Sequence, residues 1–294
     1  MKQFNRHLFL FLFLFSSFLL KAQFDNEKYD KESFLIGTLN EYMNYQRTFT
    51  NGDSFYYQRV DIMGQDELKN ALFIDSLFSS DYPDITIVNN GASLGIKIYS
   101  PTLSSKIDNY YNYKPSIMMT MQHDTIYGGS VKKEMFKTEK QKLSFLLGVY
   151  LRYGRNKDMT NSRIQFFKKD NYLSKDKKLE NVSVGLSMAN APSKAQACVE
   201  ILKDLGCIDV EYVVLKGVPV GHHVIFIPSD KIQKVIDDAE CLGKCIETID
   251  TNHVIFTPNG TKFIWVEPAK PPFQKKGTDG SDSVVVKIKS NTDN

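Results

Sequence analysis

Two copies of one short pattern carry the sharpest chemical signal in this sequence: His223-Val-Ile-Phe-Ile-Pro228 and His253-Val-Ile-Phe-Thr-Pro258, with His222 directly before the first. Side chains alternate along a strand, so if Val224, Phe226, Val254 and Phe256 face a core, His223 and His253 share the opposite face. Neutral imidazole binds metals and polar ligands, which makes His222, His223 and His253 the candidate binding residues. No Asp or Glu stands at ligand spacing beside them, so no metal site and no cofactor are expected. The second signal is sulfur. All four cysteines, Cys198, Cys207, Cys241 and Cys245, lie in the second half. An even number in an exported chain points to disulfides, with three pairings open, and the absence of a paired C-x-x-C disfavours zinc. Two weaker features are His123-Asp124, expected to form a turn, and the tyrosines 56, 57, 110, 111 and 113, expected in the core or at its rim.

The elements that must hold these residues can be read from periodicity. Apolar residues at helical spacing predict helices over 29–47 and 66–78, followed by strands between Asp84 and Ser100, an apolar run from Ser116 to Met121, and a turn at Tyr127-Gly128-Gly129. Thr138 and Gln141 form a capping-box pair that opens a largely apolar, central helix ending before Gly154. The polar stretch from Lys168 to Lys178 predicts a boundary. Beyond it come a strand over 182–186 and a helix opened by Ser193 and Gln196 and closed by Gly206. Strands over 208–215 and 223–227 follow, then a helix from Ser229 to Gly243, and a hairpin over 253–257 and 262–266. Cys198 falls on the apolar stripe of its helix, and Cys241 falls about 180° from the stripe of its own. In antiparallel packing these two helices would bring Cys198 near Cys241 or Cys245. The order strand, helix, strand, strand, helix, strand predicts an α+β fold: a mixed N-terminal half over 23–170, a ferredoxin-like βαββαβ half over 178–268 with an appended strand, and a tail over 269–294.

Two resemblances attach to these residues. The segment NHVIFTPNGTKFIWVEP, with His253 fourteen residues before Glu267 and Cys198 on a preceding helix, resembles the His and carboxylate strands of transglutaminase-like and papain-like thiol hydrolases. That likeness implies Cys198, His253 and Glu267 as catalytic residues. The run VSVGLS, the helix ending in ILKDLG and the strand pair after it resemble the sporulation-related-repeat (SPOR) modules, which implies peptidoglycan binding on an open sheet face.

The N-terminus gives an address. Lys2 and Arg6 precede a Phe/Leu-rich run from Leu8 to Leu20, and Ala22 supplies a small residue before the expected cut, so residues 1–22 read as a secretory signal peptide. At ~1.5 Å per residue that run spans about 20 Å of helix, short of the roughly 30 Å hydrocarbon core, so cleavage rather than anchoring is expected. The chain holds 37 Lys and Arg against 34 Asp and Glu, and Lys2, Arg6 and Lys21 are the whole excess. The mature chain is therefore neutral, without the cationic surplus that nucleic-acid binding requires. No transmembrane span is expected after the signal. The expectation is a protein exported to the periplasm or beyond, as in a Gram-negative cell. Its ligand would be an envelope or extracellular one, and non-enzymatic binding is the leading function, with a thiol hydrolase and a peptidoglycan-binding module as alternatives.

Overall fold

The computed structural model describes residues 24–50, 54–89, 95–251, 254–256 and 263–265. The signal segment, His253, Glu267 and the tail lie outside them. In chain order the elements are α1 (Lys31–Thr38), β1 (Tyr45–Arg47), α2 (Ser54–Tyr57), β2 (Arg59–Met63), α3 (Leu68–Phe78), β3 (Thr86–Asn89), β4 (Ile96–Tyr99) and α4 (Pro101–Asp108). There follow β5 (Tyr111–Met119), β6 (Thr125–Val131), α5 (Glu139–Tyr153), β7 (Gly154–Arg155), α6 (Lys157–Lys169), β8 (Val184–Ala189), α7 (Pro192–Asp204), β9 (Ile208–Leu215), β10 (Gly221–Ile227), α8 (Asp230–Glu247), β11 (Val254–Phe256) and β12 (Phe263–Trp265). Helices and antiparallel sheets alternate throughout, which is an α+β fold. Among the described residues no helix is long and apolar enough to cross a membrane.

Helices α1 and α5 cross at the centre, and α5 packs in turn on α8. The Thr138–Gln141 capping box opens α5 as the sequence predicts, with Thr138 Oγ1 accepting from the Gln141 amide at 3.2 Å. A glycine on each helix makes the crossing close. A Cβ placed on Gly37 would lie 2.1 Å from the Phe145 carbonyl oxygen, and one on Gly148 would lie 2.1 Å from that of Phe34. The contact is reciprocal, with Phe34-Leu-Ile-Gly37 facing Phe145-Leu-Leu-Gly148. Around this pair one hydrophobic core runs from Phe24 to Ile249, drawing on both halves of the chain.

The second half forms a sheet of order β7-β8-β10-β9. Strands β8, β10 and β9 occupy the places that a βαββαβ reading gives to its first three strands. The fourth place is taken by the short β7 from the first half, while β11 pairs antiparallel with β12 in a separate hairpin. A smaller cluster covers the other face of this sheet, where Ile164 and Phe167 of α6 pack with Leu173, Leu179, Val213 and Ile225. The chain on either side of the polar stretch 168–178 therefore shares one apolar cluster.

Several boundaries differ from the periodicity. The helix predicted over 29–47 stops at Thr38, because its last carbonyls are taken by side chains from elsewhere in the fold, described below. Gly128 and Gly129 lie inside β6, paired with Gln46 and Tyr45, and the turn falls instead at residues 120–124, where His123 adopts φ 64°. Helix α7 begins at Pro192 with Ala191 as its cap, and the Ser193 hydroxyl accepts from the Val131 amide at 2.8 Å instead of capping. Helix α8 runs through Gly243 to Glu247, since its buried stripe continues to Ile246.

Candidate functional site

Strand β10 is central in its sheet and buried on both faces, and alternation sends its two histidines in opposite directions. His222 lies on the side of Val224 and Phe226, where its Nδ1 is 2.6 Å from the Tyr212 hydroxyl and the two rings stack. Burial holds its pKa below that of ordinary imidazole. His223 lies on the side of Ile225, beneath α6, with its ring 5.2 Å from that of Phe167. His223 thus lies on the face opposite Val224 and Phe226, beneath α6, and His253, expected on the same face, lies outside the described residues. The Val-Ile-Phe segments of the two copies also fall in different sheets, Val224–Phe226 in β10 and Val254–Phe256 in β11.

What the sequence did not single out is the set of residues gathered around His223. Arg155 on β7 pairs with Gly185, and Ser187 on β8 pairs with His223, so Arg155, Ser187 and His223 line one face of the sheet. Met159, Thr160, Arg163, Phe166 and Phe167 project from one side of α6 at helical spacing, starting one turn after the Asn156 cap. Between helix and sheet lies a cleft of about 490 Å³, lined by Arg155, Arg163, Ser187 and His223 over an apolar floor. It continues past His223 to Lys216 and the β9–β10 turn. No carboxylate lines either part, and among the described residues neither guanidinium has an ion-pair or hydrogen-bond partner. Glu211, farther along the same face, is engaged by Lys177.

The electrostatics follow from that arrangement. Burial, then Arg163, Arg155 and His222, push the His223 pKa down to about 4. Buried imidazole in a cationic surround is kept neutral, whereas unfolded imidazole titrates near 6.5. The folded protein therefore refuses a proton that the unfolded chain accepts, so stability is full above pH 6.5, falls as the pH drops towards 4, and levels off below it. Allowing for water at the cleft mouth, the loss should be about 1–2 kcal/mol. We expect urea midpoints at pH 7 and pH 4.5 to differ less in His223→Gln than in the wild type, with a residual slope from His222. An unchanged difference would show that His223 is not the group that resists protonation.

Cys198, the nucleophile implied by the thiol-hydrolase resemblance, is completely buried on α7, one turn from Lys194. Burial pushes its thiol well above the ordinary range. The Lys194 ammonium, also without solvent exposure, donates to the carbonyls of Ile36, Gly37 and Leu39 at the end of α1 and lies 3.5 Å from Glu41. Glu41 in turn accepts from the Tyr111 hydroxyl at 2.7 Å. Burial lowers the Lys194 pKa and raises that of Glu41. This is a closed structural junction and supplies neither the access nor the acidified thiol that nucleophilic catalysis requires. The partners implied for Cys198, His253 and Glu267, lie outside the described residues.

The disulfides expected from the cysteine count are not formed. All four thiols are free, with Cys198 and Cys207 buried, Cys241 exposed and Cys245 between. Cys198 is buried one turn from Lys194 and bonded to neither Cys241 nor Cys245, while Cys241 does point away from the stripe of its helix. His123-Asp124 forms a turn around the Thr120 hydroxyl, which accepts from the Gln122 and Asp124 amides. Tyr110, Tyr111 and Tyr113 are core and rim residues bonded to Glu32, Glu41 and Asp108.

No protein family matches this sequence, and no curated protein matches it. Among solved structures, one from a study of mesophilic variants of the homing endonuclease I-DmoI is similar, with a TM-score of 0.41 and 12% identity over 71% of this chain and 93% of that one. A likeness at that level assigns nothing, and the cleft must be interpreted from its own residues. Its chemistry is that of an anion receptor: two uncommitted guanidiniums supply forked donors, a neutral imidazole and the Ser187 hydroxyl supply adaptable ones, and Phe166, Phe167 and Met159 supply apolar contact.

Proposed function

We propose that the protein is an exported, non-enzymatic binding module of the cell envelope, and that the cleft under α6 takes an anionic ligand with an apolar body. One observation carries the reading: Arg155 and Arg163 converge beside His223 with no carboxylate to neutralise them. Two unneutralised guanidiniums at a concave, largely apolar site are costly to hold together in an empty protein, and an anion relieves that repulsion.

The test is a calorimetric titration with ligands that share one aryl or short alkyl body and differ in head group: carboxylate, phosphate, or neutral alcohol. Anionic members should bind at least about tenfold more tightly than the alcohol, and Arg155→Ala and Arg163→Ala should each weaken them roughly 10- to 100-fold, the worth of a charge-assisted hydrogen bond. The alcohol should be indifferent to both substitutions. A bound anion also raises the His223 pKa above its free value of about 4, so binding takes up a proton and tightens as the pH falls towards 4. Equal binding of alcohol and anion would end the proposal. The export half is checked by fractionating cells and sequencing the N-terminus: a chain beginning at Gln23 in the envelope fraction supports it, and an uncut cytosolic chain overturns it.

A further inference from the structure

A second cleft, of about 310 Å³, opens on the other side of α8 where that helix meets the start of the described chain. Phe24, Tyr29, Leu147 and Leu242 form its apolar wall, and both Cys241 and Cys245 open into it. The two cysteines are four residues apart on one helix, which places their Cβ atoms about 5–6 Å from each other on the same face. Neither forms a disulfide. The remaining polar groups at the rim are committed elsewhere. Asp238 binds Lys28 and the Tyr29 hydroxyl, and Asp25 accepts from the amides of Glu27 and Lys28 at 3.0 Å. Among the described residues there is no cluster of three or more His, Cys, Asp or Glu side chains that could hold a metal.

We infer that Cys241 and Cys245 form a two-sulfur site for a soft monovalent d10 cation, copper(I) being the natural occupant. Ligand number and ligand softness decide this together. Zinc requires four donors in a tetrahedron, and calcium and magnesium require oxygen, so a site with two thiols and no third donor satisfies neither class. Thiolates select copper(I), which is content with two nearly collinear sulfurs. On binding, each thiol releases its proton to solvent and each sulfur forms one bond to the metal, giving a complex with a net charge of −1. The two thiols are in side-chain contact with each other. Leu147 and Phe24 shield one side from water, which slows oxidation of the bound metal.

The experiment uses the reduced full-length mature protein under anaerobic conditions, titrated with copper(I) against a chromophoric copper(I) chelator. We expect one equivalent to be retained per chain, and both Cys241→Ser and Cys245→Ser to weaken binding at least about a hundredfold. Cys207→Ser, away from this cleft, should leave it unchanged. Serine at exposed position 241 does not disturb the core, so loss of binding with unchanged circular dichroism reports ligation. The inference is overturned if the wild type retains no copper(I), if either serine variant binds like the wild type, or if zinc(II) binds as tightly as copper(I).

Discussion

Replacing Lys194 by Met should destabilise the protein by about 3–5 kcal/mol, a large part of the margin by which a domain is folded. The side chain is of similar length, so the loss is electrostatic. Lys194 satisfies three carbonyls at the end of α1 and faces Glu41, and none of these groups reaches water. Without the ammonium, Glu41 keeps the Tyr111 hydroxyl as its one hydrogen-bond donor and the more distant charge of Arg59, and one of its oxygens already lacks a partner. A lone buried carboxylate either stays charged at high cost or takes up a proton. The double variant Lys194→Met, Glu41→Gln should therefore recover at least half of the loss, because a neutral amide can still accept from Tyr111. Denaturant titration of the four proteins in the cycle decides it, and additivity of the two single changes would show that they do not form a pair.

That junction explains why the sequence conveyed the fold class but not the site. Periodicity located α3, α5, α7, α8 and the strands 208–215 and 223–227 within a few residues, because each buries a regular apolar stripe. It extended α1 too far, because the chain after Thr38 is apolar at helical spacing yet is turned aside by Lys194 and Arg152. These cap the helix from α7 and α5, with the Arg152 guanidinium 2.6 Å from the Thr38 carbonyl. Such caps come from residues 114 to 158 positions away and leave no local mark. The same holds for the cleft. Arg155 and Arg163 look like solvated charges in the sequence, and only the insertion of β7 beside β8 and the packing of α6 over the sheet bring them to His223. No feature of their spacing announces it. The cysteine count misled for a related reason: an even number fixes neither distance nor burial, and Cys198 was claimed by the core. The legible repeat was also the less informative one, since the Val-Ile-Phe segments of its two copies lie in separate sheets. A quieter repeat, Phe-Leu-Ile-Gly and Phe-Leu-Leu-Gly, sits at the centre of the molecule.

On that second repeat rests the other large effect. Alanine normally stabilises an exposed helix relative to glycine by about 1 kcal/mol. Gly243 in α8 should follow that rule, because a methyl group there would meet only Leu151, at 3.5 Å. Gly37→Ala and Gly148→Ala should reverse the sign. At each, the new methyl would lie 2.1 Å from a carbonyl oxygen of the facing helix, and at Gly37 it would also lie 2.9 Å from the Val149 amide. These obstacles are backbone atoms inside helices and cannot rotate away as a side chain would. The crossing must widen, and every side chain around α1 and α5 loses contact with it, so each substitution should cost about 3 kcal/mol or more, at or above the upper end for overpacking. Because both methyl groups press on one contact, the double variant should cost clearly less than the sum: once one has separated the helices, the other finds room. Thermal and denaturant unfolding of the two single variants, the double and Gly243→Ala would test this. If Gly37→Ala and Gly243→Ala shift stability alike, the close crossing of α1 and α5 is wrong. A strictly additive double would instead place the two glycines at separate contacts.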